Sequence, residues 1–277
     1  MNERRGRDPG SVNELQRRIG KAASARASTV KRLQSLVATV ALAQLLPACA
    51  VKGGTGLKLR FGDLMTRQTP DLDTAFRGDR TEFIAELHAN LVLGWGGFTG
   101  TVTGTPTDPG RSPPGLCHAA TRREADLPPA AVRDRRRRGR LRRVEATTRE
   151  EPERALSGEV IDLFAELGLA APNPVPVLPL HHQIAQKLHA CTEPGNERAH
   201  DLVDLQLMAT EVEDRLVAVT VRRLFTFRQQ HLWPAAVQPG STWAGLYTRA
   251  AEGRDVLPDL GPAVSWANTY IARLADS

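Results

Sequence analysis

The stretch VKGGTGLKLRFGDLMTRQTPDLDTAF, Val51–Phe76, decides how the rest of the chain is read. Cys49-Ala50-Val51 is a short apolar approach, the end of a buried strand, and Gly53-Gly54-Thr55 turns the chain. Gly54-x-Gly56 is followed by Leu59 where a dinucleotide fingerprint needs a third glycine, and no Gly-Lys-Ser/Thr follows, so neither that fingerprint nor a P-loop is present. From Leu57 to Phe61 apolar residues alternate with Lys58 and Arg60, the period of a strand, whereas Leu64 and Met65 fit a helix better. A helix opening at the glycines would present free backbone N–H groups and a positive dipole end, which suit phosphate. Asp71 and Asp73 are two apart, so on a strand they share one face. Two carboxylates placed so repel unless a cation lies between them, and hard oxygen donors of this kind suit Mg²⁺. The spacing alone is equally that of a polar turn after Pro70.

Gly53-Gly54-Thr55 followed by Arg67-x-Thr69-x-Asp71-x-Asp73 resembles the opening of the polymerase-beta-like nucleotidyltransferase fold. The GGTxL start resembles most the AbiEii/AbiGii toxin family of nucleotidyltransferases. In that family a helix follows the glycines, so the resemblance favours helix over the alternation.

Composition bounds the rest. A chain of 277 residues, 41% hydrophobic and 25% charged, can bury one large core or two smaller ones. Cys49, Cys117 and Cys191 are an odd count without a CxxC pair, which argues against a zinc site or disulfide framework and fits a reducing cytoplasm. Leu36–Val51 is apolar, and its LLPAC loosely mimics a lipoprotein cleavage site. Gln44 and Pro47 interrupt the run, it falls short of about 18 residues, and it starts too late for a signal peptide, so no membrane partner is expected. The net charge of +6 is local. Residues 101–150 hold 12 of the 37 basic and 6 of the 31 acidic residues, so the rest of the chain is neutral.

Ser11 is placed to cap a first helix, with Glu14 completing a capping box, and Thr29–Leu46 reads as a second. Glu82–Leu93 is amphipathic through Phe83, Ile84, Leu87 and Leu91, and Gly94 ends it. Residues 101–150 contain no Phe, Tyr, Trp, Ile, Met, Asn, Gln or Lys and centre on VRDRRRRGRLRR, Val132–Arg143. No strand or helix period survives there. The window reads as a basic loop holding nucleic acid, as a solvated insert, or as a frame-shifted segment. The family resemblance implies two or three strands and a third carboxylate in this window; Asp134 and Glu145 are the nearest candidates. Glu159–Leu169 reads as a helix, and APNPVPVLPL, Ala171–Leu180, as a proline-spaced linker.

Beyond it, Leu180–Met208 reads as helix, turn and helix, with Ile184, Leu188 and Cys191 on an apolar face and Lys187 beside it. Asp201 and Asp204 are three apart and share a face, with Arg198 three before Asp201. Taken alone, this is an ion-paired hairpin or a cluster facing a cleft. K-L-H-A followed by R-x-x-D-x-x-D-L resembles the C-terminal signature of the same toxin family, in which the lysine and the DxxDL aspartates serve nucleotide binding and transfer. His181, His182 and His189 lack the second pair that a zinc site needs, and His189 reads as a packed surface residue. The tail from Glu211 is helical, with Trp233, Trp243, Tyr247 and Trp266 read as core.

The expected fold is α/β (α+β): a small mixed-sheet nucleotidyltransferase core over residues 11–170, a linker over 171–180, and a helical region over 181–277. The resemblance implies nucleotidyl transfer from an NTP by a cytoplasmic toxin. It implies Asp71 and Asp73 for Mg²⁺, and Gly53, Gly54, Thr55, Arg67, Lys187 and Asp201 for the nucleotide. Asp204 would orient Lys187, bind the nucleotide, or help deprotonate an acceptor hydroxyl. RNA such as tRNA is the implied acceptor and an antitoxin protein the implied partner. The alternative is an inactive relative that binds nucleotide or nucleic acid through the arginine run.

Overall fold

A computed structural model describes residues 8–69, 71–103, 117–122, 130–133 and 151–277, with backbone alone at 103, 117–122 and 130–133. The chain divides into a first unit (Met1–Asp63, Gln68–Arg143, Arg154–Val177) and a second (Leu64–Arg67, Val144–Glu153, Leu178–Ser277).

Ser11 opens α1 (Val12–Ala25), its hydroxyl accepting from Glu14 N at 3.2 Å. The expected capping box is incomplete, because the Glu14 carboxylate accepts from Arg17 and Arg18 instead of reaching back. Thr29 caps α2 (Val30–Ala43), whose second half is buried on every side. β1 (Ala50–Lys52) follows and leads directly into α3 (Gly53–Phe61). The alternation of Leu57–Phe61 therefore belongs to a helix. Leu57, Lys58 and Leu59 are all buried, so no polar face survives to print a helical period on the sequence. Leu64 and Met65, by contrast, are exposed and lie beyond the helix.

β2 (Asp71–Ala75) returns antiparallel to β1, with Lys52 opposite Asp73. α4 (Arg80–Leu93) is capped by Asp79, which accepts from Thr81 N and Glu82 N, and Gly94 ends it at φ 76°. β3 (Thr99–Thr103), β4 (Cys117–Arg122) and β5 (Ala130–Arg133) form an antiparallel run, and β5 lies parallel to β2 with Asp71 opposite Ala131 and Asp73 opposite Arg133. The arginine-rich window thus carries two paired strands that its sequence does not announce. β-pairing is set by partner strands more than by the weak intrinsic preference of Ala and Arg. Most of the Arg133–Arg143 run lies outside the described residues.

β6 (Glu153–Ala155), α5 (Gly158–Leu167) and β7 (Val175–Val177) complete the first unit's elements. β7 lies parallel to β1, with Val177 opposite Val51, so the stretch read as a linker carries a strand of the sheet. The seven-stranded mixed sheet runs β3-β4-β5-β2-β1-β7-β6, with β2 and β1 near its middle. α1, α2, α4 and α5 bury Leu15, Ile19, Leu36, Leu87, Val160 and Phe164 in one cluster with Val51, Leu72 and Val177 of the sheet.

The second unit is helical: α6 (Leu180–Cys191), α7 (His200–Met208), α8 (Asp214–Arg228), α9 (Trp243–Ala251) and α10 (Leu260–Asp276). Trp243 and Tyr247 are fully buried, as read from the sequence, but Trp233 and Trp266 are only half-buried, and Tyr270 takes the remaining core position. His189 is buried rather than at the surface; its ring packs at a tilt against Phe225 and His231, and its Nδ1 lies 3.2 Å from an Arg228 nitrogen. Among the described residues no helix is long and apolar enough to cross a membrane.

Candidate active site

Sequence-predicted site residues fall into two clusters, one in each unit. In the first unit the chain passes from β1 into α3 through Gly53, which holds a left-handed φ of 66°. A Cβ there would lie 2.9 Å from Asp73 Oδ2, so at this left-handed position any other residue would be strained and would press on that carboxylate. At Gly54 a Cβ would lie 3.1 Å from both Cβ and Cγ2 of Thr69. Thr55 is buried, and its hydroxyl donates to the Asp71 carbonyl at 2.5 Å, locking the first turn of α3 to β2. That hydroxyl is engaged by the protein itself, leaving backbone N–H groups as what this turn offers an anion. No side chain caps α3 at Lys52.

On β2 Leu72 is buried while Asp71 and Asp73 on either side of it are half-exposed, so the two carboxylates share the face away from Leu72. Among the described residues no third acidic, histidine or cysteine side chain joins them in a metal-ligating group. Asp134 and Glu145 lie outside the described residues. Behind this site is a buried ion cluster that sequence reading missed. Lys58 of α3 lies 3.0 Å from Asp63 Oδ1, and Arg32 of α2 pairs with the other oxygen. With Asp63 fully buried, this ties the far end of α3 to α2. A cleft of about 300 Å³ in the same unit, lined by Gln44, Cys49, Arg154 and Asn173 among others, touches none of these site residues.

In the second unit, Lys187 of α6 donates to Asp201 Oδ1 at 2.9 Å and to Asp204 Oδ2 at 2.6 Å, both on α7. Arg198, in the turn before α7, donates from Nε to Asp201 Oδ2 at 2.6 Å. Arg67 donates from Nε to both Asp204 oxygens at 3.1 Å. His200 Nε2 lies 3.6 Å from Asp201 Oδ1. Burial would raise the Asp201 pKa, but Lys187 and Arg198 outweigh it and hold the carboxyl well below the usual range. Asp204 is likewise held down by Lys187 and Arg67 against its burial. Burial, helped by the surrounding cations, pulls the His200 pKa down to about 4 despite Asp201, so this ring is neutral at pH 7.

Lys187, Asp201 and Asp204 are therefore brought together as the pattern implied, and as an ion cluster. The i, i+3 spacing already marked Arg198 and Asp201. Nothing local could have marked Arg67 and Asp204, which are 137 positions apart.

The nucleotidyl transferase AbiEii toxin family of type IV toxin–antitoxin systems matches residues 34–268. The chain belongs to this family and is a nucleotidyltransferase of its toxin class. Among solved structures it is similar to the nucleotidyltransferase toxin MenT4 from Mycobacterium tuberculosis H37Rv, with a TM-score of 0.53 and 18% identity over 94% of this chain and 98% of that one. It is also similar to JHP933 from Helicobacter pylori, at a TM-score of 0.43 and 12% identity over 86% and 88% of the two chains. The first likeness is one of fold. No curated protein matches the chain in sequence.

Proposed function

We propose that this toxin moves a nucleotidyl group from a nucleoside triphosphate to an acceptor RNA such as tRNA, with Mg²⁺, in the cytoplasm, and that an antitoxin protein is its partner. The observation that carries the reading is the side-chain-free passage of Gly53 beside the Asp73 carboxylate at the mouth of α3, where an added Cβ would lie 2.9 Å from Asp73 Oδ2. It sets a phosphate-suited helix start against two acidic groups that share a strand face.

The donor set fits Mg²⁺. Asp71 and Asp73 are half-exposed oxygen donors on one face, and one or two protein carboxylates plus substrate phosphates are the usual complement for this ion. Bound there, Mg²⁺ would supply charge neutralisation for a phosphoryl centre. Gly54 and the backbone N–H groups of the first turn of α3 receive the phosphates. An acceptor hydroxyl attacks the α-phosphorus, forming a new P–O bond as the bond to the pyrophosphate oxygen breaks, and the hydroxyl proton leaves to a base.

Asp204 is a poor candidate for that base. Both its oxygens are engaged, and its pKa is held low, so its affinity for a proton is weak. Its role is to hold Lys187 and Arg67, and through them to serve nucleotide binding alongside Asp201.

The test is incubation of the protein with Mg²⁺, total RNA and each labelled NTP in turn, beside an Asp71→Ala/Asp73→Ala variant. Label on RNA from one NTP, absent in the variant, is the expected result. Nucleotide binding without any transfer would refute it in favour of an inactive nucleotide-binding relative.

A further inference from the structure

The cleft of the first unit opens where two strands part. β1 and β7 pair at Val51 and Val177. Just before that pair, Cys49 and Val175 both line a cavity of about 300 Å³, at the lower end of the range for small-molecule pockets. Strand pairing is poorly placed to close it. Val175 is flanked by Pro174 and Pro176, which have no N–H to donate and keep this end of β7 extended.

The rim is tied in place by side chains instead. Gln44, the residue after α2, donates from Nε2 to the Asn173 carbonyl at 3.0 Å and accepts from Asn173 N at 2.9 Å through Oε1. That is the pair of bonds a neighbouring strand would make. Arg154 of β6 donates from Nη1 to the Pro174 carbonyl at 3.1 Å. The cleft is therefore formed before any occupant arrives, and an occupant need not meet the cost of ordering it.

Its lining is apolar with one charge. Leu46, Val51 and Val175 supply aliphatic surface. The Cys49 thiol is half-buried, and burial pushes its pKa up to about 12, so it stays uncharged at pH 7. Among the described residues the lining holds no acid and a single cation, the exposed Arg154. A guanidinium carries five N–H donors, and the Pro174 carbonyl takes one of them. No acidic side chain among the described residues pairs with Arg154. An apolar cleft with a permanent positive charge at its mouth is complementary to an apolar body that ends in an anion.

We propose that this cleft is a binding site for a small apolar molecule bearing one acidic group, with the apolar body against Leu46, Val51 and Val175 and the acid on Arg154. The cleft touches neither the Gly53 turn nor the paired aspartates, so this inference stands apart from the nucleotidyl-transfer reading and survives or fails without it.

The probe is naphthalene-2-carboxylate, with its neutral amide as control, titrated into the full chain and followed by the probe's fluorescence. The carboxylate is expected to bind the wild type with a Kd below about 1 mM, and the amide more weakly. Arg154→Gln is expected to weaken carboxylate binding about fivefold, the upper end for an exposed ion pair, and to leave amide binding unchanged. Ala48→Phe adds bulk at an exposed position of the lining and is expected to weaken both ligands. Labelling by N-ethylmaleimide, located at Cys49 by peptide mass spectrometry, is expected to slow as the carboxylate fills the cleft. Four results would each overturn the proposal: no carboxylate binding, equal affinity for acid and amide, an affinity that neither substitution changes, or displacement of the carboxylate by NTP, which would place it in the nucleotide site.

Discussion

Replacing Lys187 with methionine probes the second unit at its most highly charged point. Methionine keeps an unbranched stem within α6 and removes the ammonium. That ammonium bridges Asp201 and Asp204 at 2.9 and 2.6 Å, and both carboxylates are essentially inaccessible. Without it two buried anions share one site, and each retains a single arginine on its outer side. Removing one partner from a buried ion pair costs about 3–5 kcal/mol. Because Arg198 and Arg67 remain, a loss near the lower end, about 3 kcal/mol at neutral pH, is expected.

The dependence on pH has a definite sign. Both carboxyls sit below their ordinary value of 3.8 in the folded protein, against their burial, because of Lys187 together with Arg198 or Arg67. A carboxyl depressed on folding contributes stability that is fully present above its unfolded pKa and drains away as pH falls through the folded one. Without Lys187 that depression shrinks. The gap between variant and wild type is therefore largest at neutral pH and narrows below about pH 4. Urea unfolding followed by tryptophan fluorescence reads this out, since Trp233, Trp243 and Trp266 lie in the second unit and only Trp95 in the first. A gap under about 1 kcal/mol at pH 7, or one that stays constant into acid, would refute the reasoning.

Two further changes test other parts of the structure. Gly53→Ala forces a Cβ into a left-handed position 2.9 Å from Asp73 Oδ2. It is expected to cost about 1–3 kcal/mol of stability and, by displacing the carboxylate, about 100-fold in nucleotidyl transfer; wild-type rates in the labelled-NTP assay would show that Asp73 need not stay where it is. Tyr247→Phe removes a hydroxyl that donates to the Leu257 carbonyl at 2.5 Å and accepts from Gln206 at 3.0 Å. Chemical denaturation is expected to show a loss of about 1–2 kcal/mol, with nucleotide affinity unchanged.

Most of what was legible in the sequence was local. Ser11 opens α1 and Gly94 closes α4 where their local chemistry places them, because a cap acts within a few residues of itself. The Asp71/Asp73 pair was readable for the same reason: a strand's period of two puts i and i+2 on one face wherever the strand lies. The Arg198–Asp201 pair follows from helical spacing. Local pattern failed where burial was complete. α3 alternates like a strand because Leu57, Lys58 and Leu59 are all buried, with Asp63 neutralising Lys58, so no exposed polar face sets a helical period. His189 was misplaced for a related reason, since a ring packed on Phe225 and held by Arg228 leaves no mark on its own neighbours in the chain.

The sequence by itself carried the family resemblance, the glycine turn and the shared faces of Asp71 with Asp73 and of Asp201 with Asp204, because each depends only on spacing within a few residues. Only the tertiary structure decided that Val175–Val177 and the strands of the arginine-rich window belong to one sheet. Only it seated Lys187 between two carboxylates, brought Arg67 onto Asp204, and tied Asp63 to Arg32 and Lys58. Those partners are far apart along the chain or come from different elements. A buried charge constrains the identity of its partner but not its position, so the pairing is fixed only once the fold has closed around it.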